Sequence, residues 1–149
     1  ALPARQAPVM THHVVSVELE VPFHDVDSLQ IVWHGHYYKY IEIARTALMR
    51  HVGLDNHEIM RLGHGLVMGE TQCKHTGVLR YGDRVRVDAW FKDYTQRLCI
   101  AYEVRNLTSG KRAARARTVL VTLNARGELN LATPPDMIAR IDAALAAPG

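Results

Sequence analysis

The segment from residue 23 to residue 38 concentrates side chains that can perform acid–base chemistry. It contains two aspartates one residue apart, Asp25 and Asp27, and then two histidines, His34 and His36. A carboxylate can attack an activated acyl group directly or take the proton of an attacking water. A helix that starts just after such a carboxylate could bind the developing oxyanion through its free N–H groups. Side chains of these types could act as general acids, general bases or nucleophiles.

Asp27 has an alternative structural explanation, the capping of a helix. Aspartate before a helix commonly accepts hydrogen bonds from the first N–H groups. The helical pattern, however, begins only near residues 34–36, and a cap about seven residues earlier does not fit. Capping is the commoner role of an aspartate before a helix, and this distance counts against it. Asp25 is expected to hold its loop through hydrogen bonds, as aspartate does in turns.

The surrounding periodicities predict the elements that position this segment. Apolar residues recur at spacings of three and four over residues 36–52, which predicts one amphipathic helix ended by Gly53. Alternating or β-branched runs predict five strands, over residues 14–22, 65–74, 84–92, 98–106 and 112–123. A short helix is predicted from residue 134 to residue 146. Strands joined by short turns pair antiparallel, so we expect an α+β fold in which a curved antiparallel sheet wraps around one central helix.

The motif in residues 21–38 reads VPFHDVDSLQIVWHGHYY, and it is followed by Glu42 and by Ala44-Arg45 on the predicted helix. Tyr81-Gly82-Asp83 precedes the third strand. In this order the pieces resemble the signature of the 4-hydroxybenzoyl-CoA thioesterase-like branch of the hotdog superfamily, over about residues 14 to 124. The resemblance implies a hotdog fold and the hydrolysis of an acyl- or aroyl-CoA, or acyl-carrier-protein, thioester. It also implies no cofactor, since coenzyme A is part of the substrate.

The resemblance assigns roles to particular residues. Asp27 matches the catalytic carboxylate, and the backbone N–H of His34 matches the group that polarises the thioester carbonyl. The predicted substrate contacts are Gln30, Trp33, Tyr37 and Arg97, the last through a CoA phosphate. Gln30 departs from the family pattern, which has glycine at this place. Because glycine lets the chain bend and a ligand approach closely, the departure bears on substrate shape or on catalytic competence.

Two other functions remain open at this point, and nucleic-acid and metal binding are not predicted. A hotdog protein that binds thioesters without hydrolysing them would be consistent with Gln30, and hotdog dehydratases or hydratases share the fold. Dehydratases, however, pair a histidine with an acid on the helix, in a different order. Nucleic-acid binding through the cationic run of residues 111–117 lacks aromatic interleaving, and we predict no nucleic-acid partner. The nine histidines have no spacing typical of a metal site, so no metal is predicted.

Composition limits the setting of this chemistry. The chain has 149 residues, 48% hydrophobic and 22% charged, with a net charge of +3, which fits one globular domain over residues 13–149. Residues 1–12 are predicted to be a flexible leader. Cys73 and Cys99 show no disulfide or metal pattern, which favours a reducing compartment. No apolar run is long enough to cross a membrane, so we expect a cytoplasmic location. Exposed sheet edges predict a homodimer, with a homotetramer as a further possibility.

Overall fold

Five strands form one antiparallel sheet in the computed structural model, which describes residues 13–147. The strands are β1 (Val15–Glu20), β2 (Gly65–His75), β3 (Arg84–Asp93), β4 (Leu98–Asn106) and β5 (Lys111–Leu123). The helices are α1 (Tyr37–His51), α2 (Asn56–Arg61) and α3 (Pro135–Ala146). The sheet order β1-β3-β4-β5-β2 leaves β1 at one edge and β2 at the other. The predicted leader, residues 1–12, lies outside the described residues.

One face of the sheet is covered by α1. Residues of β3 alternate between buried and more exposed positions, and the buried ones include Val85, Val87 and Ala89. The buried side of α1 includes Tyr40, Ile41 and Ala44, and these belong to the same apolar cluster. Burial of this stripe is the main source of the helix's stability, because isolated helices of this length are marginal in water. The packing fixes where the N-terminal end of α1 lies.

The predicted strands and the two predicted helices are all present, with bounds that differ by at most two residues. The short helix α2 was not predicted. Its start carries a recognisable signal, since Asp55 accepts a hydrogen bond from the N–H of Glu58, the arrangement of a helix cap. None of the helices in residues 13–147 is both long and apolar enough to span a membrane.

The loop that carries Asp27 is a tight hairpin whose last turn residue is Gln30. Val26 and Val32 form an isolated antiparallel bridge, and the N–H of Gln30 donates to the carbonyl of Asp27 at 2.9 Å. The φ angle of Gln30 is +68°, and it is the one non-glycine residue with positive φ in the described part of the chain. A type I turn followed by a left-handed residue is a common three-residue hairpin, and glycine is the usual choice there. The turn therefore keeps the shape that glycine would adopt.

Replacing Gln30 with glycine should stabilise the protein. The left-handed conformation costs an L residue about 1–2 kcal/mol, and the extra entropy that glycine gives the unfolded chain offsets only part of this. We expect Gln30→Gly to raise the free energy of unfolding by about 0.5 kcal/mol in urea denaturation. The matched control is Leu29→Gly in the same turn, where φ is negative and the side chain is 73% exposed. Equal destabilisation by both variants would contradict the strain argument.

Candidate functional site

The carboxylate of Asp27 is held by one oxygen at the tip of its hairpin. Its Oδ1 accepts a hydrogen bond from the N–H of Leu29 at 2.8 Å, and its own N–H donates to the carbonyl of Ile31 at 2.9 Å. Within residues 13–147, Oδ2 accepts no hydrogen bond. Asp27 does not cap α1, which begins ten residues later and has no side-chain cap. One carboxylate oxygen is thus fixed and the other is available.

A cleft of about 390 Å³ opens beside this carboxylate. Its lining residues are Phe23, Val26, Asp27, Gln30, Arg80 and Tyr81. The structure therefore brings together two predicted site residues, Asp27 and Gln30. Arg80 and Tyr81 were not predicted as site residues, although Tyr81 belongs to the Tyr-Gly-Asp motif that signals their turn. Phe23 and Tyr81 meet edge to face with ring centroids 5.5 Å apart, and they form an aromatic wall.

The N-terminal end of α1 lacks any compensating acidic group of its own. A single 3₁₀ turn, His34–His36, leads directly into α1, and neither element has a side-chain cap or an acidic residue in its first turn. The N–H groups of His34 and Gly35 donate to no backbone acceptor in the described residues, whereas that of His36 donates to the carbonyl of Trp33. Free N–H groups at the positive end of a helix attract an anionic oxygen. His34 therefore supplies a backbone donor of the predicted kind.

Trp33 and Gly35 shape the surface of this helix end. The indole of Trp33 is half exposed and lies against the backbone of Gly35, where a Cβ atom would come within 2.2 Å of the ring. The rings of Trp33 and His34 are 5.1 Å apart. Only glycine at position 35 lets the indole fold over the turn in this way. Trp33 and His34 are not among the residues that line the cleft beside Asp27, and a substrate contact by Trp33 stays a prediction.

Tyr37 lies in the core beneath this turn. It is 2% exposed, its ring meets that of His75 edge to face at 4.5 Å, and burial with the nearby Cys73 raises its pKa to about 12. Burial, together with His34 6.2 Å away, lowers the pKa of His75. A substrate contact by Tyr37 stays a prediction, and its buried position shows a packing role. No three potential metal ligands converge in residues 13–147.

Asp25 anchors the whole loop to α1. Its carboxylate is buried, and it accepts hydrogen bonds from Nζ of Lys39 and from the hydroxyl of Tyr40, both at 2.6 Å. Its carbonyl accepts the N–H of Trp33 at 3.1 Å. Burial raises the pKa of Asp25, but the two hydrogen bonds and the charge of Lys39 outweigh burial and hold that pKa below its usual range. Asp25 thus holds the loop as predicted, but its side chain does so through α1 and not through the N–H groups of a turn.

Arg97 lies at the other end of the sheet. The cleft beside Asp27 is lined by Arg80 and Tyr81, just before β3, whereas Arg97 is exposed in the turn that follows β3. β3 has ten residues, which span about 33 Å. One chain therefore does not bring Arg97 to Asp27.

Comparison with known proteins identifies the family. A model of the thioesterase-like superfamily matches residues 21–141. YneP of Bacillus subtilis, provisionally named an acyl-CoA thioesterase, is 29% identical over 82 residues, which are 55% of this chain and 59% of that relative. The chain thus matches about three fifths of the length of this relative.

Solved structures of the same shape have low sequence identity. The 1,4-dihydroxy-2-naphthoyl-CoA thioesterase Slr0204 of Synechocystis aligns with a TM-score of 0.76 and 19% identity, over 91% of this chain and all of the other. SAV2348 of Staphylococcus aureus, solved in complex with CoA, aligns with a TM-score of 0.80 and 17% identity, over 90% and 85% of the two chains. The chain has the hotdog fold that its motifs predict, and it belongs to the thioesterase-like superfamily.

Proposed function

We propose that this protein hydrolyses an acyl or aroyl thioester of coenzyme A at the cleft beside Asp27. The main support is the state of the Asp27 carboxylate. One of its oxygens accepts a hydrogen bond from Leu29, and the other accepts none in the described residues, beside a cleft with an aromatic wall. A family whose relatives include proteins named for acyl-CoA and aroyl-CoA hydrolysis supports this choice of reaction. The complex of SAV2348 with CoA supports the choice of carrier.

Two routes are open to the Asp27 carboxylate. As a base, it takes a proton from water while the water oxygen bonds to the carbonyl carbon, and the C–S bond then breaks as the thiolate recovers that proton. As a nucleophile, it forms an anhydride and expels the thiolate, and water then cleaves the anhydride to the acid. In both routes negative charge develops on the carbonyl oxygen. We propose that the N–H of His34, at the start of α1 where no side chain caps the helix, binds that charge.

The conformation of Gln30 favours hydrolysis over binding without turnover. The case for a non-hydrolytic protein rests on the missing glycine, whose loss could distort the catalytic loop. Gln30 instead adopts the left-handed conformation, and the hairpin hydrogen bonds around Asp27 are intact. The substitution therefore changes the side chain that lines the cleft and leaves the backbone geometry in place. We assign Gln30 to substrate shape selection.

A homodimer would complete the site, and β2 is the edge that would form it. Within the described residues β2 pairs with β5 alone, which leaves 11 residues of edge backbone. Met68 of β2 and Tyr38 of α1 are each more than 40% exposed and line a groove of about 290 Å³ between the two elements. A long unblocked edge beside exposed apolar side chains is typical of a surface that pairs with another chain.

Dimer formation through β2 would also resolve the position of Arg97. Two-fold pairing of β2 with its copy is antiparallel, so every strand of the second sheet points the opposite way. The turn after β3 in the second chain would then lie at the same end as the Asp27 loop of the first. We propose that Arg97 contacts a CoA phosphate bound at the neighbouring subunit's cleft. A tetramer would require a further interface.

Asp27→Asn should abolish turnover and leave the fold intact. The amide can neither take a proton nor attack, while its oxygen can still accept the hydrogen bond from Leu29. We expect wild-type protein to release thiol from at least one member of a panel of acyl- and aroyl-CoA esters, and Asp27→Asn to lower kcat at least 100-fold with an unchanged unfolding midpoint. Inactive wild-type protein across CoA and acyl-carrier-protein thioesters would contradict hydrolysis.

Asp25→Asn should mainly lower the free energy of unfolding, whereas Asp27→Asn should mainly lower kcat. Asparagine has one acceptor oxygen where Asp25 uses two, so either Lys39 or Tyr40 loses its acceptor. The lowered pKa of Asp25 means that its carboxylate stabilises the fold above about pH 4 and that this contribution is lost as pH falls further. We expect Asp25→Asn to lower the free energy of unfolding at pH 7 and to flatten its decline below pH 4. Equally mild effects of both asparagine variants on kcat would contradict the assigned roles.

Thr71→Lys should weaken the dimer. A lysine on an edge strand disfavours pairing with a second strand, and the two-fold relation places two such charges near each other. We expect light scattering to give a dimer mass for wild-type protein and a dissociation constant at least tenfold higher for Thr71→Lys. Activity per chain should fall on dilution, because Arg97 is then lost from the site.

The matched control for the dimer is Ser16→Lys. It likewise replaces an exposed hydroxyl residue on an edge strand, but on β1 at the opposite side of the sheet. A monomeric wild-type protein with full activity would contradict the assignment of Arg97 to a neighbouring subunit. So would a dimer that Ser16→Lys weakens as much as Thr71→Lys does.

A further inference from the structure

The outer face of the sheet, opposite α1, has a cavity of about 330 Å³. Its floor follows one cross-strand row, in which Trp90 pairs with Ala101, Ala101 with Arg117 and Arg117 with Gln72. Because neighbouring strands are about 4.8 Å apart, the Cα atoms of Trp90 and Arg117 lie about 10 Å apart, with the small residue Ala101 between them. The guanidinium of Arg117 bonds to Glu70 and Gln72 on β2, which leaves a slot above Ala101 between the indole and the Arg117 side chain.

The walls of this cavity carry an excess of positive charge. Four cations line it, Lys74, Lys92, Arg115 and Arg117, against the single carboxylate of Glu103. That carboxylate is already engaged by Arg105 at 3.0 Å and Arg112 at 3.8 Å. Arg117 is held by Glu70 at 3.0 Å. Within residues 13–147, Lys74, Lys92 and Arg115 form no ion pair with a carboxylate.

Two of these cations face each other at a cost to the fold. Lys74 of β2 and Arg115 of β5 are direct partners in the antiparallel register. Like charges directly opposite each other on a sheet are destabilising. On its other side Arg115 is directly opposite Glu103 of β4, but that carboxylate is shared with Arg105 and Arg112. A bound anion would remove the repulsion and use both cations.

We propose that this cavity binds a nucleotide, with its flat base in the slot between Trp90 and Arg117 and its phosphates at Lys74 and Arg115. An indole and a guanidinium group both stack on aromatic rings, and paired cations are the usual partners of phosphate. The cavity lies on the face of the sheet that α1 does not cover, apart from the cleft beside Asp27. The site is therefore separate from the proposed hydrolytic centre.

Isothermal titration of the full chain with ADP tests the proposal, with inorganic pyrophosphate and adenosine as partial ligands. We expect ADP to bind at least tenfold more tightly than either part, with an affinity that falls as salt concentration rises. Lys74→Gln with Arg115→Gln should weaken ADP binding at least tenfold. Lys111→Gln with Arg126→Gln makes the same change in charge away from the cavity and should alter the affinity less than twofold. Binding here is measured without any thioester, so its result is independent of hydrolysis.

A second variant tests the slot itself. Ala101→Leu adds bulk between Trp90 and Arg117 while all four cations remain. We expect this variant, once circular dichroism shows that it is folded, to lose ADP binding and to retain the weak pyrophosphate binding. Retained ADP binding in Ala101→Leu would place the base elsewhere and overturn the proposal.

The bound group is either a free nucleotide or the nucleotide end of CoA. Steady-state kinetics with acyl-CoA distinguish these two ligands. A raised KM for acyl-CoA in the Lys74→Gln, Arg115→Gln variant identifies the CoA end and would contradict Arg97 as its phosphate contact, while an unchanged KM with lost ADP binding identifies a free nucleotide. The proposal is also overturned by no ADP binding at millimolar concentration, by equal affinity for ADP and pyrophosphate, or by an equal loss of affinity in the control variant. Burial of the outer face between two copies of the chain, seen as hydrogen-exchange protection without ligand, would also overturn it.

Discussion

The position of the candidate site depends on one buried carboxylate. Asp25 accepts hydrogen bonds from Lys39 and Tyr40 on the first turn of α1, and its carbonyl accepts the N–H of Trp33. A buried carboxylate is costly unless it is paired, and the two donors supply that pairing. The same contacts tie both ends of the Asp27 hairpin to the helix. Without them, the hairpin that carries Asp27 would not be held against the first turn of α1.

Strain and permissive residues complete this arrangement. Gln30 holds a left-handed conformation that glycine adopts more readily, and Gly35 lets the indole of Trp33 lie on the first turn. Backbone strain persists where surrounding structure enforces it, and here the enforcing contacts are the Val26–Val32 bridge and the Asp25 hydrogen bonds. The loop thus holds one oxygen of Asp27 in a hydrogen bond and leaves the other without one in the described part of the chain.

Periodicity was enough to predict the five strands and α1, because alternation and helical spacing report directly on which face is buried. The short helix α2 was missed, since six residues carry too little periodicity and its signal lies in the Asp55 cap. For the site, the motif located Asp27, Gln30, Trp33 and His34 on one loop. It did not show that Asp25 would bond to α1, because the approach of Lys39 and Tyr40 depends on tertiary packing. Nor did it show Arg97 at the far end of β3, which only the strand directions reveal.

The three groups of candidate functional residues lie at different ends or faces of the hotdog sheet. The Asp27 loop and the start of α1 lie at one end, Arg97 lies at the other, and the cationic cavity occupies the face away from α1. Strand pairing across β2 would turn the far end of one chain toward the near end of another. A thioester at Asp27 and its phosphates at Arg97 would therefore need two chains, which links oligomeric state to activity.

The most direct measurement of the central claim is a crystal structure of the Asp27→Asn variant with a bound acyl-CoA or aroyl-CoA thioester. We expect the thioester carbonyl oxygen to lie within hydrogen-bond distance of the N–H of His34, with the carbonyl carbon facing the side chain at position 27. A thioester whose carbonyl lies away from the start of α1 and out of contact with position 27 would contradict the proposed roles of Asp27 and His34.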